Sequence, residues 1–141
     1  MSTENHKALI RRFVEEVWNR QNLSIVDELF AANHVFHAAG GPLLDREGHK
    51  QMIAHFESAF PDGRTTTEDM IAERDAVAQR WTYTGTHQGA FQGIPPTGKR
   101  VRLTGISIWR FEDGKIVQSW HDLDALGLMQ QLSVIPAPGQ A

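Results

Sequence analysis

The sequence predicts an α+β domain in which a curved antiparallel sheet is partly covered by helices from the N-terminal half. Three observations lead there. The first sixty residues carry apolar side chains at helical spacing. From Thr65 onward β-branched and aromatic residues replace that pattern. Asp113-Gly114 then pins a hairpin near the C-terminus. At 141 residues the chain suits one domain, taken as residues 1–135, followed by a flexible tail over 136–141 (P-A-P-G-Q-A).

The first helix is expected over about Thr3 to Arg20, since Leu9, Ile10, Phe13, Val14, Val17 and Trp18 recur three and four apart. Ser24 is placed to cap a short second helix with Ile25, Val26, Leu29 and Phe30 on its apolar side. Val35 to Ala38 reads as a short strand that Gly40-Gly41-Pro42 breaks. Asp45 is the candidate cap of a third helix, with Met52, Ile53, Phe56 and Phe60 as its stripe and Pro61-Asp62-Gly63 as its stop. Strands are expected at about 65–73, 76–87, 100–111 and 115–124, then a helical turn from Ala125 to Leu132. The loop Gln88 to Lys99 contains Gly-Ile-Pro-Pro-Thr-Gly, which cannot be a central strand and suits a rigid turn, either a lip of the cavity or a dimer contact.

A two-residue turn at Asp113-Gly114 sets opposing positions. Phe111 faces Ile116, Trp109 faces Gln118, Ser107 faces Trp120, Gly105 faces Asp122 and Leu103 faces Asp124. On that register Trp109, Trp120, Asp122 and Asp124 share one face, and Ile106, Ile108, Val117, His121 and Leu123 share the other. A bulge between 111 and 124 would exchange part of this assignment. A strongly bent sheet with helices across its mouth encloses a cone-shaped cavity.

Composition excludes several function classes. Fourteen Lys+Arg against seventeen Asp+Glu give a net charge of −3, without the basic excess that phosphate binding needs. No cysteine is present, which removes thiol catalysis and Cys-ligated zinc. No apolar run is long enough to span a bilayer and no signal-peptide pattern opens the chain, so a cytoplasmic location is expected.

Asp122 and Asp124 are the candidate acid/base residues. A carboxylate raised in pKa by apolar surroundings can remove a proton next to a carbonyl and return it to an alkoxide. The competing role for Asp124 is to cap the helix that starts at Ala125. His37, His55 and His87 fall on elements that could line the cone and orient a substrate. His34 and His37 sit three apart on a strand and so point to opposite faces, which argues against a metal site. Trp18, Trp109 and Trp120, with Trp81 and Tyr83, could wall a flat ligand. A Gly-x-Ser-x-Gly elbow is missing, and Arg80, Arg102 and Arg110 have the wrong parity for an Asp–Arg–Asp epoxide-hydrolase site.

Gly85-Thr86-His87-Gln88-Gly89 followed by Gly93-Ile94-Pro95-Pro96-Thr97-Gly98-Lys99, and Asp113-Gly114-Lys115-Ile116 followed by Trp120, Asp124, Gly127, Leu128, Gln131 and Leu132, resemble the SnoaL-like polyketide cyclase (ester cyclase) family. Phe13 to Asn19 and Leu29-Phe30…His37 fit the same pattern, so the resemblance covers about residues 5–135. It implies an NTF2-like cone, a homodimer formed through the open sheet face, and cofactor-free ring closure of a polyketide ester by aldol condensation, with an Asp near the end of the last strands as acid/base. Asp124 matches the family's Trp-x-x-x-Asp spacing. Family members often carry an Asp directly after the Trp, where this chain has His121. The superfamily also holds isomerases, dehydratases, epoxide hydrolases and non-catalytic ligand-binding or dimerisation modules, so the fold supports function only by analogy.

Overall fold

The N-terminal segment forms one continuous helical rod. In the computed structural model, which describes residues 2–38 and 40–136, α1 spans Thr3–Arg12 and runs directly into a π-helical stretch, Phe13–Asn19. Ser2 caps α1 by accepting from the Asn5 N–H at 3.1 Å. Ile10, Phe13, Val14 and Val17 are buried along one side, as the spacing requires. Arg12 reaches Glu16 at 2.6 Å and Glu28 at 3.0 Å, tying the rod to the short helix α2, Ile25–Leu29. Asn19 closes its end with two hydrogen bonds to the Thr65 backbone, at 2.8 and 3.0 Å.

The strands are β1 (Phe30–Ala38), β2 (Leu43–Leu44), β3 (Arg64–Glu73), β4 (Ala76–Thr86), β5 (Arg100–Glu112) and β6 (Lys115–Leu123). Helix α3 (Arg46–Ala59) lies between β2 and β3, and α4 (Ala125–Gln131) follows β6. The six strands form one unclosed curved sheet in the order β2-β1-β6-β5-β4-β3. The β1–β6 pair is parallel and every other pair antiparallel. The expected elements are present, with a short β2 that was not expected and with β1 starting at Phe30, five residues before the predicted Val35, so that Phe30 belongs to β1 and not to α2. Asp45 caps α3 as expected, accepting from Gly48 N–H at 2.8 Å. The tail expected to be flexible lies, apart from Pro136, outside the described residues.

The hairpin register holds only next to its turn. Phe111 pairs with Ile116 as predicted, but Arg110 pairs with Gln118, leaving Val117 as a bulge. Every later residue of β6 is therefore turned over relative to the unbulged register. Ile108 pairs with Trp120, Ser107 with His121, Ile106 with Asp122 and Gly105 with Leu123. Ser119 and His121 thus join Trp109 and Ser107 on the concave face. Trp120 and Asp122 go to the outer face with Ile106 and Ile108.

The core divides around a cavity. One cluster gathers Phe13, Val17, Phe30, Ile53, Val77, Trp109 and Ile116 under the N-terminal rod. The other gathers Phe60, Tyr83, Phe91, Leu103, Leu128 and Leu132 at the far end, and Trp18 packs against both. On the outer face a row of laterally paired residues, Leu43, His37, Trp120, Ile108, Ala78 and Ile71, crosses all six strands. Leu43 and Ile71 in that row are exposed by two thirds of their surface. This is the face through which the resemblance implies pairing of two copies.

Candidate active site

Each wall of the cavity follows from a local periodicity. His49, Met52 and Phe56 project from one side of α3 at i, i+3 and i+7. Gln79, Trp81 and Tyr83 alternate inward along β4, Leu103, Ser107 and Trp109 along β5, and His121 and Leu123 along β6. The π-helical stretch supplies Phe13, Val14 and Trp18, α4 supplies Leu128 and Met129, and the loop before β5 supplies Phe91 and Gln92 as a lip. The cavity has a volume of about 330 Å³, and no Asp, Glu, Lys or Arg among the described residues lines it.

Its polar groups cluster on the sheet floor and are tied into three networks. In the first, Trp109 Nε1–H donates to Gln79 Oε1 at 2.9 Å, and Gln79 Nε2–H donates to Thr67 Oγ1 at 2.9 Å. In the second, Trp81 Nε1–H donates to Ser107 Oγ at 2.8 Å, and that oxygen lies 2.6 Å from His121 Nδ1. In the third, His34 Nδ1 lies 3.2 Å from the Ile116 carbonyl, and His34 Nε2 lies 3.3 Å from His49 Nδ1 and 3.2 Å from Ser119 Oγ. The rings of His34 and His49 stack at 5.4 Å, and those of His49 and His121 meet edge-on at 5.5 Å.

All three imidazoles are neutral at pH 7. Burial pushes His34 down to about 4, partly offset by the Ile116 carbonyl. Burial, with His34 nearby, pushes His121 down to about 3. Burial holds His49 well below the usual histidine range, and its neighbours His121 and His34 add to the effect. His121 Nε2 is itself buried and has no hydrogen-bond partner among the described residues.

Of the residues singled out from sequence, Trp18, Trp81, Tyr83 and Trp109 line the cavity, and Asp122, Asp124, His37, His55, His87 and Trp120 do not. Asp124 is exposed and caps α4, accepting from Gly127 N–H at 2.9 Å. Asp122 is exposed on the outer face because the Val117 bulge turns it there. The same inversion puts Trp120 outside, stacked on His37 at 4.8 Å with Arg110 over its ring. His37 is outward because it alternates with the inward His34 and Phe36. His55 is exposed on α3 and stacks against Phe91, off the cavity wall. His87 is fully buried behind the lip, where its Nδ1 meets Thr97 Oγ1 at 3.0 Å and accepts from Thr97 N–H. Sequence reasoning passed over His49, Gln79 and Ser107 and put His121 on the wrong face. His49 had a readable signal, since it continues the Met52–Ile53–Phe56 stripe one turn earlier. No cluster of His, Asp and Glu suited to a metal occurs among the described residues, and no helix there is long and apolar enough to cross a membrane.

The sequence model of SnoaL-like polyketide cyclases matches residues 8–132. The chain belongs to that family. Among solved structures it is similar to AclR, a candidate hydroxylase from Streptomyces galilaeus, at 32% identity and TM-score 0.89, covering 96% of this chain and 85% of that one. It is similar to IdmH, a candidate polyketide cyclase from Streptomyces antibioticus, at 31% identity and TM-score 0.80, covering 90% and 97%. A candidate polyketide cyclase from Acidithiobacillus ferrooxidans matches at 30% identity and TM-score 0.80, covering 95% and 99%. No curated protein matches the sequence. Within this SnoaL-like chain, the polar groups of the cavity floor are imidazole, hydroxyl and amide rather than carboxylate.

Proposed function

We propose that this SnoaL-like protein catalyses proton transfer on an uncharged, carbonyl-bearing small molecule, of the kind that closes a ring by intramolecular aldol condensation. His49 and His121 take the acid/base role that sequence reasoning gave to Asp124 and Asp122. The supporting observation is the pairing of two neutral imidazoles on the floor of a cavity that no charged side chain among the described residues lines. A neutral imidazole can accept or donate a proton without first losing a counter-ion. A free carboxylate would enter this cavity without a cationic partner, at a desolvation cost that an ester or ketone avoids. The aromatic walls, Trp18, Phe56, Trp81, Tyr83 and Trp109, favour a flat, conjugated molecule.

The test is exchange of the α-protons of 2-tetralone in D₂O, followed by NMR. The protein should accelerate exchange over buffer in a saturable way, and His49→Leu should remove the acceleration. Saturable binding of 2-tetralone with no acceleration would make the cavity a binding module and overturn the catalytic reading.

A further inference from the structure

We propose that His34 and Ser107 are positioning residues that lock the two cavity imidazoles in opposite tautomers, so that His49 presents a lone pair and His121 an N–H to the same bound molecule. This rests on the acid/base reading above and assigns its two roles.

The assignment starts from groups that have no choice. The Ile116 carbonyl can only accept, so His34 Nδ1, 3.2 Å away, carries the proton. His34 Nε2 then holds a lone pair. His49 Nδ1 faces that nitrogen at 3.3 Å and Ser119 Oγ lies 3.2 Å from it; the serine hydroxyl can turn to another acceptor, whereas a lone pair on His49 Nδ1 would be held against the His34 lone pair, so His49 Nδ1 carries the hydrogen. Neutral His49 is therefore protonated on Nδ1, and its Nε2 is the basic nitrogen. Both rings are about 1% exposed, so no bulk water competes for these positions.

The second network runs the other way. Trp81 Nε1 can only donate, and it occupies one lone pair of Ser107 Oγ at 2.8 Å. The Ser107 hydroxyl hydrogen then needs an acceptor, and His121 Nδ1 at 2.6 Å is the one within reach among the described residues. The reverse arrangement, with His121 Nδ1–H donating, would leave the serine hydrogen unpaired in a residue that is 1% exposed. His121 is therefore protonated on Nε2. That atom is buried and has no protein partner among the described residues, as expected of a donor reserved for a ligand.

Opposite tautomers suit enolate chemistry. His49 Nε2 takes the α-proton as the C–H bond breaks. The released electron pair forms the C=C bond, and the carbonyl π pair moves onto oxygen. His121 Nε2–H donates to that oxygen and keeps its own proton. When the enolate carbon attacks a second carbonyl, the new alkoxide recovers the proton from His49. Atoms and charge balance with no co-reactant. His34 Nε2 accepts from His49 Nδ1–H throughout, which steadies the imidazolium while it lasts.

Long-range ¹H–¹⁵N correlation spectra of the histidine-labelled protein read each tautomer directly, with the His49 and His121 signals assigned by single substitution. His49 should show the Nδ1–H pattern and His121 the Nε2–H pattern. In Ser107→Ala, His121 should lose its single tautomer while His49 keeps its own. In His34→Leu the converse should hold. Ser107→Thr, which keeps the hydroxyl, should restore the His121 pattern. With 2-tetralone, Ser107→Ala should slow exchange roughly ten- to hundredfold through kcat with KM little changed, short of the loss from removing an oxyanion donor outright. Either ring in the other tautomer in the unsubstituted protein, or a His121 pattern untouched by Ser107→Ala, overturns the proposal. The spectra need no substrate. Locked tautomers without 2-tetralone exchange would therefore sink the acid/base reading alone, and exchange with unlocked tautomers would sink only the positioning role.

Discussion

Gly105 lets the floor of the cavity form. It pairs with Trp81 across β4 and β5, and the indole lies flat over it. A Cβ at position 105 would sit 2.2 Å from the Trp81 ring, well inside contact distance. That ring holds Ser107 through its Nε1–H, so one hydrogen atom in place of a methyl supports the whole Trp81–Ser107–His121 chain. Gly105→Ala should cost about 1–3 kcal/mol, the usual range for overpacking. The check is a lower urea midpoint with an unchanged slope, and an indole Nε1–H resonance of Trp81 that moves. An unchanged midpoint would mean the indole has room to shift. Nothing in the sequence marks Gly105 for this role, since its partner is set by a pairing between two distant strands. His49 was readable by contrast, because a helix repeats its faces locally.

At the scale of elements, the Val117 bulge decides which side chains reach the cavity. Asp113-Gly114 identified the turn and the Phe111–Ile116 pair correctly, because turn chemistry is local. The run Ile116-Val117-Gln118-Ser119-Trp120 carries no local mark of an extra residue, so alternation counted from the turn put Trp120, Asp122 and His121 on the wrong sides. Clear alternation made β5 legible along its whole length. Asp124 belongs to this scale too. The carboxylate caps α4, and Gln131 at the other end of that helix clips both the N–H and the C=O of Arg102, at 2.7 and 2.8 Å. The spacing from Asp124 to Gln131 is thus explained by anchoring α4, which lends Leu128 and Met129 to the cavity wall. Asp124→Ala should lower stability by about 1 kcal/mol, the usual loss of an N-cap. It should leave the rate of 2-tetralone exchange within about twofold once folding is complete. Loss of exchange in a fully folded Asp124→Ala protein would return the acid/base role to that carboxylate.

For the molecule as a whole, a core that stores uncharged histidines ties folding to acidity. His34, His49 and His121 are all held below the ordinary histidine value, whereas in the unfolded chain each takes up a proton near pH 6.5. Below that pH the unfolded state binds more protons than the folded state, so stability falls as pH falls. Each imidazole contributes a slope of up to about 1.4 kcal/mol per pH unit. Glu57 on α3 acts in the opposite sense. Burial raises its pKa to about 7, so from about pH 4.5 to 7 the folded state holds a proton there that the unfolded state has lost. Glu57 therefore offsets about one of the three histidines. The net loss between pH 6.5 and 4.5 is about 2–3 kcal/mol per pH unit. Over two units that matches much of the 5–15 kcal/mol by which domains are ordinarily stable. The urea midpoint should thus drop steeply from pH 6.5 to 4.5, and Glu57→Gln should make the drop steeper. A midpoint that stays level down to pH 5 would mean that the three rings are already charged or already wet in the folded protein, and the cavity floor would then not be the neutral site described above.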